Sequence, residues 1–216
     1  IKSNIMHKFT DIRMAVISLA ILVSVSCTEK LERDWKQFEP YTEHFSLAEI
    51  DADGNEYLEV SAVKSISKSD VEKYVIGNGW KSVAVYELDK NKDVAGVWEL
   101  KDDLPLINEQ TLHDCFEVKG FGENQLIQYG LLDGRYEDLD FAYDENDNSI
   151  SLDACWFVAH NGKLVFLSDD VMVCVDGKEW VAEGRNPYVF MVVFEKVSKS
   201  TLKEWRKKCP DPRLWI

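Results

Sequence analysis

Basic residues are few in this chain of 216 residues: 25 lysines and arginines stand against 39 acidic residues, for a formal net charge of −14. So acidic a surface repels phosphate backbones, which argues against nucleic-acid binding and favours a well-solvated exterior. Histidine is also scarce, with four residues in all. The hydrophobic fraction of 45% is ordinary for a globular protein, and the length suffices for one domain with extensions.

Motifs of the common enzyme classes are missing from the sequence. It contains no Gly-x-Ser-x-Gly nucleophile elbow, no phosphate-binding glycine loop and no His-Glu-x-x-His helix. Cysteine lies near histidine in HDC at 113–115 and in CWFVAH at 155–160, but each pair provides two ligands where a closed zinc site needs four. Carboxylates are too abundant to indicate a catalytic pair. We therefore expect no metal, no cofactor and no enzymatic activity.

Long hydrophobic runs are missing except for Met14–Val25, which is shorter than the roughly 20 residues that span a bilayer. Lys8 and Arg13 precede this run and small residues follow it, up to Cys27, an arrangement that resembles a bacterial lipoprotein signal. The alternative is an ordinary secretory signal with an incidental cysteine. We expect residues 1–26 to be the signal peptide, Cys27 to carry the lipid and 27–42 to be a polar tether. The protein would then be anchored to the bacterial outer membrane, on either its periplasmic or its surface side.

Two helices and a hairpin are predicted around a long β region. Residues 43–66 predict a hairpin extension that turns at Asp53-Gly54. A capping box, Ser69-x-x-Glu72, predicts a short helix after it, which ends at glycines 77 and 79. A second capping box, Thr201-x-x-Glu204, predicts a C-terminal helix that ends before a tail at 210–216.

The region between the helices predicts strands throughout. Turn signals such as Asp133-Gly134 and Asn161-Gly162 separate them at intervals typical of a meander with tight hairpins. The predicted strands are 80–88, 94–100, 114–120, 124–131, 136–143, 149–159, 163–167, 171–176, 178–183 and 188–197. No long helix intervenes, which excludes a parallel sheet. We expect an all-β fold in which about eight to ten antiparallel strands close into an up-and-down barrel, with a sandwich as the alternative.

Three stretches resemble known proteins: GNGWKSVAVYELD, YEDLDFAYDENDNSISL and YVFMVVFEKVSKSTLKEWRKK. They are similar to the lipocalin-like lipoproteins common in Bacteroidetes, and the resemblance covers residues 67–209. It implies a β-barrel in which Gly79 and Trp80 open the first strand. It also implies that the tryptophan closes the barrel end beneath a basic side chain, for which Lys196 and Arg206 are both candidates. Apart from the resemblance, Trp80 is a core residue that follows a helix stop.

Four cysteines remain beyond the proposed lipid site, at positions 115, 155, 174 and 209. An envelope protein permits disulfides, and four cysteines allow three pairings. The alternative is four small buried side chains, since free cysteine packs well in cores. We predict one bridge that ties Cys209 to a strand.

Alternation along the first barrel strand predicts its inward face. Ser82, Ala84 and Tyr86 share a mostly apolar face with Trp80, and the small residues leave room in the middle of the strand. An up-and-down barrel of eight strands can hold one small ligand or be filled by side chains. We expect a lipid-anchored protein that binds a small apolar or amphipathic ligand inside the barrel. The alternative is an interaction module that presents its loops or outer face to a protein or glycan partner.

Overall fold

A computed structural model of the chain describes residues 39–52, 55–98, 113–158, 162–176 and 186–215. The fold is that of the compact unit Tyr41–Ile216. The predicted signal peptide, Cys27 and the predicted strand at 178–183 lie outside the described residues.

Strands dominate the described residues, as the sequence predicted. The strands are β1 (Phe45–Ala52), β2 (Asn55–Ala62), β3 (Gly79–Leu88), β4 (Val94–Trp98), β5 (Cys115–Val118), β6 (Gly122–Gly130), β7 (Arg135–Asp144), β8 (Ser149–Leu152), β9 (Gly162–Leu167), β10 (Val171–Asp176) and β11 (Val189–Lys196). Two α-helices, α1 (Lys68–Tyr74) and α2 (Lys199–Lys208), flank the main sheet, and 3₁₀ helices span Glu39–His44, Trp156–Val158 and Pro212–Trp215. No helix among the described residues is long and apolar enough to cross a membrane.

The main sheet closes on itself, which confirms the predicted barrel. Its described strands follow the order β11-β10-β9-β8-β7-β6-β5-β3-β4, and an additional pairing joins β11 to β3. Among the described residues, the named strands of this sheet pair antiparallel throughout. Strands β4 and β5 lie along the same side of β3, β4 beside Val85–Leu88 and β5 beside Gly79–Lys81. Closure pairs the edges that an open sheet of this length would expose.

A separate two-stranded hairpin precedes the barrel. Strands β1 and β2 pair from Phe45 opposite Ala62 to Ala52 opposite Asn55, which leaves the predicted two-residue connection. On the barrel, the hairpin contacts β9 through β2 and the turn after β3 through the Lys92 ammonium, which donates to the Phe45 carbonyl. In the 3₁₀ helix before the hairpin, the Tyr41 ring lies 5.0 Å from that of Phe166.

Both α-helices are present, but the capping residues predicted for them are wrong. The side chain of Ser67 caps α1 by accepting a hydrogen bond from the Asp70 amide, and Ser198 caps α2 by accepting from the Thr201 amide. Each cap is the first serine of a Ser-Lys-Ser triplet. The predicted caps, Ser69 and Thr201, lie two and three positions further along the chain. Both patterns offer a hydroxyl near the helix start, and the actual caps are the extended residues that directly precede the first turn.

The strand predicted at 149–159 is too long. β8 ends at Leu152, and the chain then leaves the sheet and enters a 3₁₀ turn. Ala154, Cys155, Phe157 and Val158 all belong to the core cluster inside the barrel. We call residues 153–158 the plug segment. An apolar run of this kind fits a buried turn as well as it fits a strand, so periodicity could not separate the two.

Helix α1 covers one end of the barrel, which we call the closed end. Its Val71 and the adjoining Val75 lie in the interior cluster with Trp80, and all three are fully buried. The Trp80 indole nitrogen donates to the Val75 carbonyl at 3.4 Å. Gly79 is held by close packing, because a Cβ there would lie 2.8 Å from Val197 Cγ2 and 2.9 Å from Leu202 Cδ1.

The two basic candidates for the partner of Trp80 have other contacts. Lys196 lies opposite Trp80 in the register, but its ammonium pairs with Asp169. Arg206, on α2, binds the buried carboxylate of Glu117 with both its Nε and its Nη2 atoms. This fork fastens α2 to the outer face of β5.

Candidate functional site: a buried carboxyl inside the barrel

A β-bulge divides the inner face of β3. Register between β11 and β3 shifts at Val193/Phe194: Phe194 lies opposite Ser82, and Val193 lies opposite Ala84. Phe194 belongs to the interior cluster, and so does Val85, which is paired with Val192. One extra residue reverses the alternation of every side chain beyond it.

The expected inward face of β3 is therefore wrong beyond the bulge. Ser82 lies inside, whereas Ala84 and Tyr86 point to the outer face, where Tyr86 lies opposite Met191. Both are nonetheless buried, with exposed fractions of 7% and 1%. Strict alternation cannot reveal an inserted residue, since the bulge depends on how β11 pairs with this strand.

Ser82 and Asp114 form the first part of the site. They follow directly on the last ladder pair of β3 and β5, Lys81 opposite Cys115. The Ser82 amide donates to the Asp114 carbonyl at 2.9 Å, and the Asp114 amide donates to Ser82 Oγ at 2.7 Å. His113 adds a short contact from its Nδ1 atom to the Ser82 carbonyl. These bonds fix the Asp114 backbone at the point where β5 begins.

The Asp114 carboxyl reaches the barrel interior. The residue as a whole is partly exposed, but its Oδ2 atom is shielded from solvent and has no hydrogen-bond partner among the described residues. Burial raises the pKa of this carboxyl to about 7, and hydrogen bonds from the Cys155 thiol and the Ser82 hydroxyl partly offset the rise. A carboxyl with this pKa exchanges its proton near neutral pH.

The plug segment brings the second group to the site. Cys155 is fully buried in the interior cluster beside Asp114, and burial, followed by the nearby Asp114 charge, raises the pKa of its thiol well above the usual value. The thiol is therefore a protonated donor at neutral pH, not a nucleophile. Hydrogen bonds to its backbone hold the segment. The Cys155 amide donates to the Leu152 carbonyl, and the Gln128 side-chain amide donates to the Ala154 carbonyl at 3.0 Å.

The predicted disulfide from Cys209 is wrong. Cys209 forms no disulfide with another described cysteine, and all four cysteines among the described residues are buried. Cys174 lies in the interior cluster with Cys155, whereas Cys115 and Cys209 lie in the cluster under α2. The Cys209 thiol contacts the Gly130 carbonyl at 3.5 Å. These cysteines pack as small apolar side chains, the alternative that the sequence left open.

Sequence reasoning missed Asp114 and Cys155 as parts of one site. Both stood in the Cys–His pairs that were considered as metal ligands, HDC and CWFVAH, but 40 positions along the chain separate them. The available signal was an acidic residue that enters a strand beside apolar neighbours. Among the described residues, no group of three or more His, Cys, Asp or Glu side chains could hold a metal ion.

A concave surface lies outside the barrel, where the hairpin meets the turn after β3. This outer pocket has a volume of about 400 Å³. Its lining residues are Glu49, Ile50, Asp51, Glu56, Asp89, Lys90, Asn186 and Pro187. Four of the eight carry carboxylates, and Lys90 pairs with one of them, Glu49, at 2.7 Å.

The comparisons with known proteins add no assignment to either surface. No protein-family model, no curated protein and no solved structure matches this chain.

Proposed function

We propose that this protein is a lipocalin-like binding protein that takes a small amphipathic molecule into its barrel, with the polar group of the molecule at Asp114 Oδ2. The observation that carries the proposal is that this buried oxygen has no partner among the described residues. A buried acceptor without a hydrogen bond costs about 1–3 kcal/mol, which a donor on a ligand would recover. The barrel topology supports the proposal, because small up-and-down barrels can enclose one ligand.

The apolar part of such a ligand would meet the side chains around the plug segment. Phe157 and Val158 are buried there, and the Phe157 ring lies 5.0 Å from that of Phe190 on β11. These side chains occupy interior space themselves. Binding therefore competes with the packing of the plug segment, and a ligand would replace the contacts of Phe157 with its own.

A dye-binding titration of the full chain tests this proposal. An environment-sensitive apolar dye should bind saturably at one site per chain. Phe157→Ala should tighten binding at least fivefold, because the truncation leaves an apolar cavity that the dye can fill. Val63→Ala is the matched control, since Val63 is 60% exposed. The absence of saturable binding to both the wild type and Phe157→Ala would contradict the proposal.

We also propose that Cys27 is lipidated and anchors the protein to the bacterial outer membrane. The sequence supports this through the charged start, the apolar run and the small residues before Cys27. Growth with an alkyne fatty acid should label the wild type and leave Cys27→Ala unlabelled. Equal labelling of the two would contradict the anchor.

A second candidate function is the interaction module, and the outer pocket favours it. Its carboxylates suit a basic group such as a lysine or arginine side chain of a partner protein. A lysine-rich peptide should then bind the full chain, and the double variant Asp51→Asn/Glu56→Gln should bind it at least fivefold more weakly. The double variant Glu123→Gln/Asp170→Asn controls for net charge, because it removes two exposed carboxylates that lie outside the pocket. Equal loss in both variants would reject the pocket as the binding surface.

A further inference from the structure

The groups around Asp114 determine which kind of ligand group can pair with its Oδ2 atom. The Cys155 thiol and the Ser82 hydroxyl, both neutral groups, act on this carboxyl to lower its pKa. The Asp114 amide is satisfied by Ser82 Oγ. What remains is one acceptor atom, Oδ2, shielded from solvent. A group that pairs with the ionised carboxylate at this position must be a hydrogen-bond donor.

A cationic donor fits this position better than a neutral one. Burial disfavours the charged form of Asp114, so the ionised carboxylate lacks a compensating charge. A protonated amine would supply that charge together with a hydrogen bond, whereas an alcohol would supply the hydrogen bond alone. No lysine or arginine side chain is paired with Asp114 among the described ion pairs.

An anionic ligand fits the position worst. A carboxylate placed beside Asp114 would force the pair to share a proton, because two such like charges do not both ionise at contact distance. The formal net charge of −14 adds long-range repulsion of anions and attraction of cations. Fatty-acid anions are therefore disfavoured as ligands of this site.

The body of the ligand must be apolar, because the neighbours of the site are. Cys174, Phe194 and Val85 line the same interior cluster and are fully buried. A polar body would lose its hydration there without new hydrogen bonds.

From this geometry we infer that the interior site is selective for amphipathic amines, whose protonated amino group pairs with Asp114 Oδ2 while the apolar chain lies against the interior cluster. The inference rests on the proposed function, since it names the ligand class of the same site.

Three probes with one tail and different head groups test the inference: n-decylamine, n-decanol and decanoate, each titrated calorimetrically into the full chain at pH 7.5 below its aggregation concentration. Decylamine should bind at one site per chain and at least tenfold more tightly than decanol, and decanoate should bind most weakly. Asp114→Asn should remove the preference for the amine and keep the binding of decanol. Asp170→Asn, which removes one exposed charge, should behave as the wild type.

A direct signal from Asp114 separates pairing at the site from amine binding at the acidic surface. Decylamine should lower the pKa of the Asp114 carboxyl in carbon-detected NMR, and decanol should not. Decanol or decanoate binding as tightly as decylamine would overturn the amine preference and leave the proposed function standing. Decylamine bound with equal affinity to wild type and Asp114→Asn would likewise overturn the inference. If no probe binds, the proposed function fails, and the inference fails with it.

Discussion

The closed end of the barrel and the level just above it differ in what they bury beside neighbouring residues of one strand. At the closed end, Trp80 is fully buried among Val71, Val75 and Phe116. Two positions further along β3, Ser82 meets Asp114, and a carboxyl oxygen lies buried without a partner among the described residues. The closed end is apolar and close-packed, whereas the level above it retains a polar group at a cost.

This difference separates a region that stabilises the fold from a region that carries the candidate site. Close packing of apolar side chains is the main source of folding free energy. A buried carboxyl with one oxygen unpartnered opposes folding, so it is retained for a reason other than stability or by constraint of the backbone. Substitutions at the closed end should therefore destabilise the fold, and removal of the Asp114 charge should stabilise it.

Trp80→Ala should produce the largest loss. Truncation of a buried tryptophan side chain typically lowers the free energy of unfolding by about 3–5 kcal/mol. Urea denaturation of the wild type and the variant measures the loss, and Val63→Ala, at an exposed position, should change the midpoint little. A loss below about 1 kcal/mol would show that the closed end contributes no more than the surface.

Asp114→Asn should raise stability, and the gain should depend on pH. Burial raises the pKa of Asp114 to about 7 in the folded protein, from the ordinary value of 3.8 that it has in an unfolded chain. Between these pH values the folded state holds a proton that the unfolded state has released, so this carboxyl lowers stability as pH rises from about 4 to 7. Asparagine carries no such proton. The variant should therefore match the wild type near pH 4 and exceed it near pH 8 by up to about 4 kcal/mol.

Denaturation at the two pH values checks the Asp114 prediction. The difference between variant and wild type isolates this carboxyl from the other groups that titrate. The control, Asp170→Asn, should show no comparable change. A difference that is the same at pH 4 and pH 8 would mean that the carboxyl is not the titrating group.

Gly79→Ala and Gly77→Ala should both destabilise, by smaller amounts and for different reasons. At position 79 a Cβ would press against Val197 and Leu202, and overpacking typically costs about 1–3 kcal/mol. At position 77 space is open, but φ is +77°, which costs an L residue about 1–2 kcal/mol.

Two further substitutions separate these causes by thermal denaturation. Asparagine tolerates positive φ, so Gly77→Asn should recover most of the loss seen with alanine. Gly79→Asn should be worse than Gly79→Ala, because its larger side chain meets the same neighbours. Recovery at both positions would show that backbone conformation alone sets the requirement for glycine.

Much of the architecture was predictable because it follows from local patterns. Turn residues such as Asp133-Gly134 separate runs of β-formers, and this marked nearly every described strand to within a few residues. The hairpin β1–β2 and the two helices carry equally local signals. The candidate site was not predictable in this way. Only Ser82 of the three expected interior residues lies inside, and the two groups that define the site with it come from the start of β5 and from the plug segment.

The sequence by itself determined that this protein is built of antiparallel strands, since turn chemistry and alternation act between residues a few positions apart. The sequence also determined the acidic net charge, and it lacks the motifs of the common enzyme classes. Tertiary structure alone decided which side chains face inward. The bulge opposite Val193/Phe194 reverses the inward face of β3 because β11, more than a hundred positions further along the chain, pairs with it there. The packing of the plug segment likewise brings Cys155 to Asp114, a contact that only the closed barrel creates.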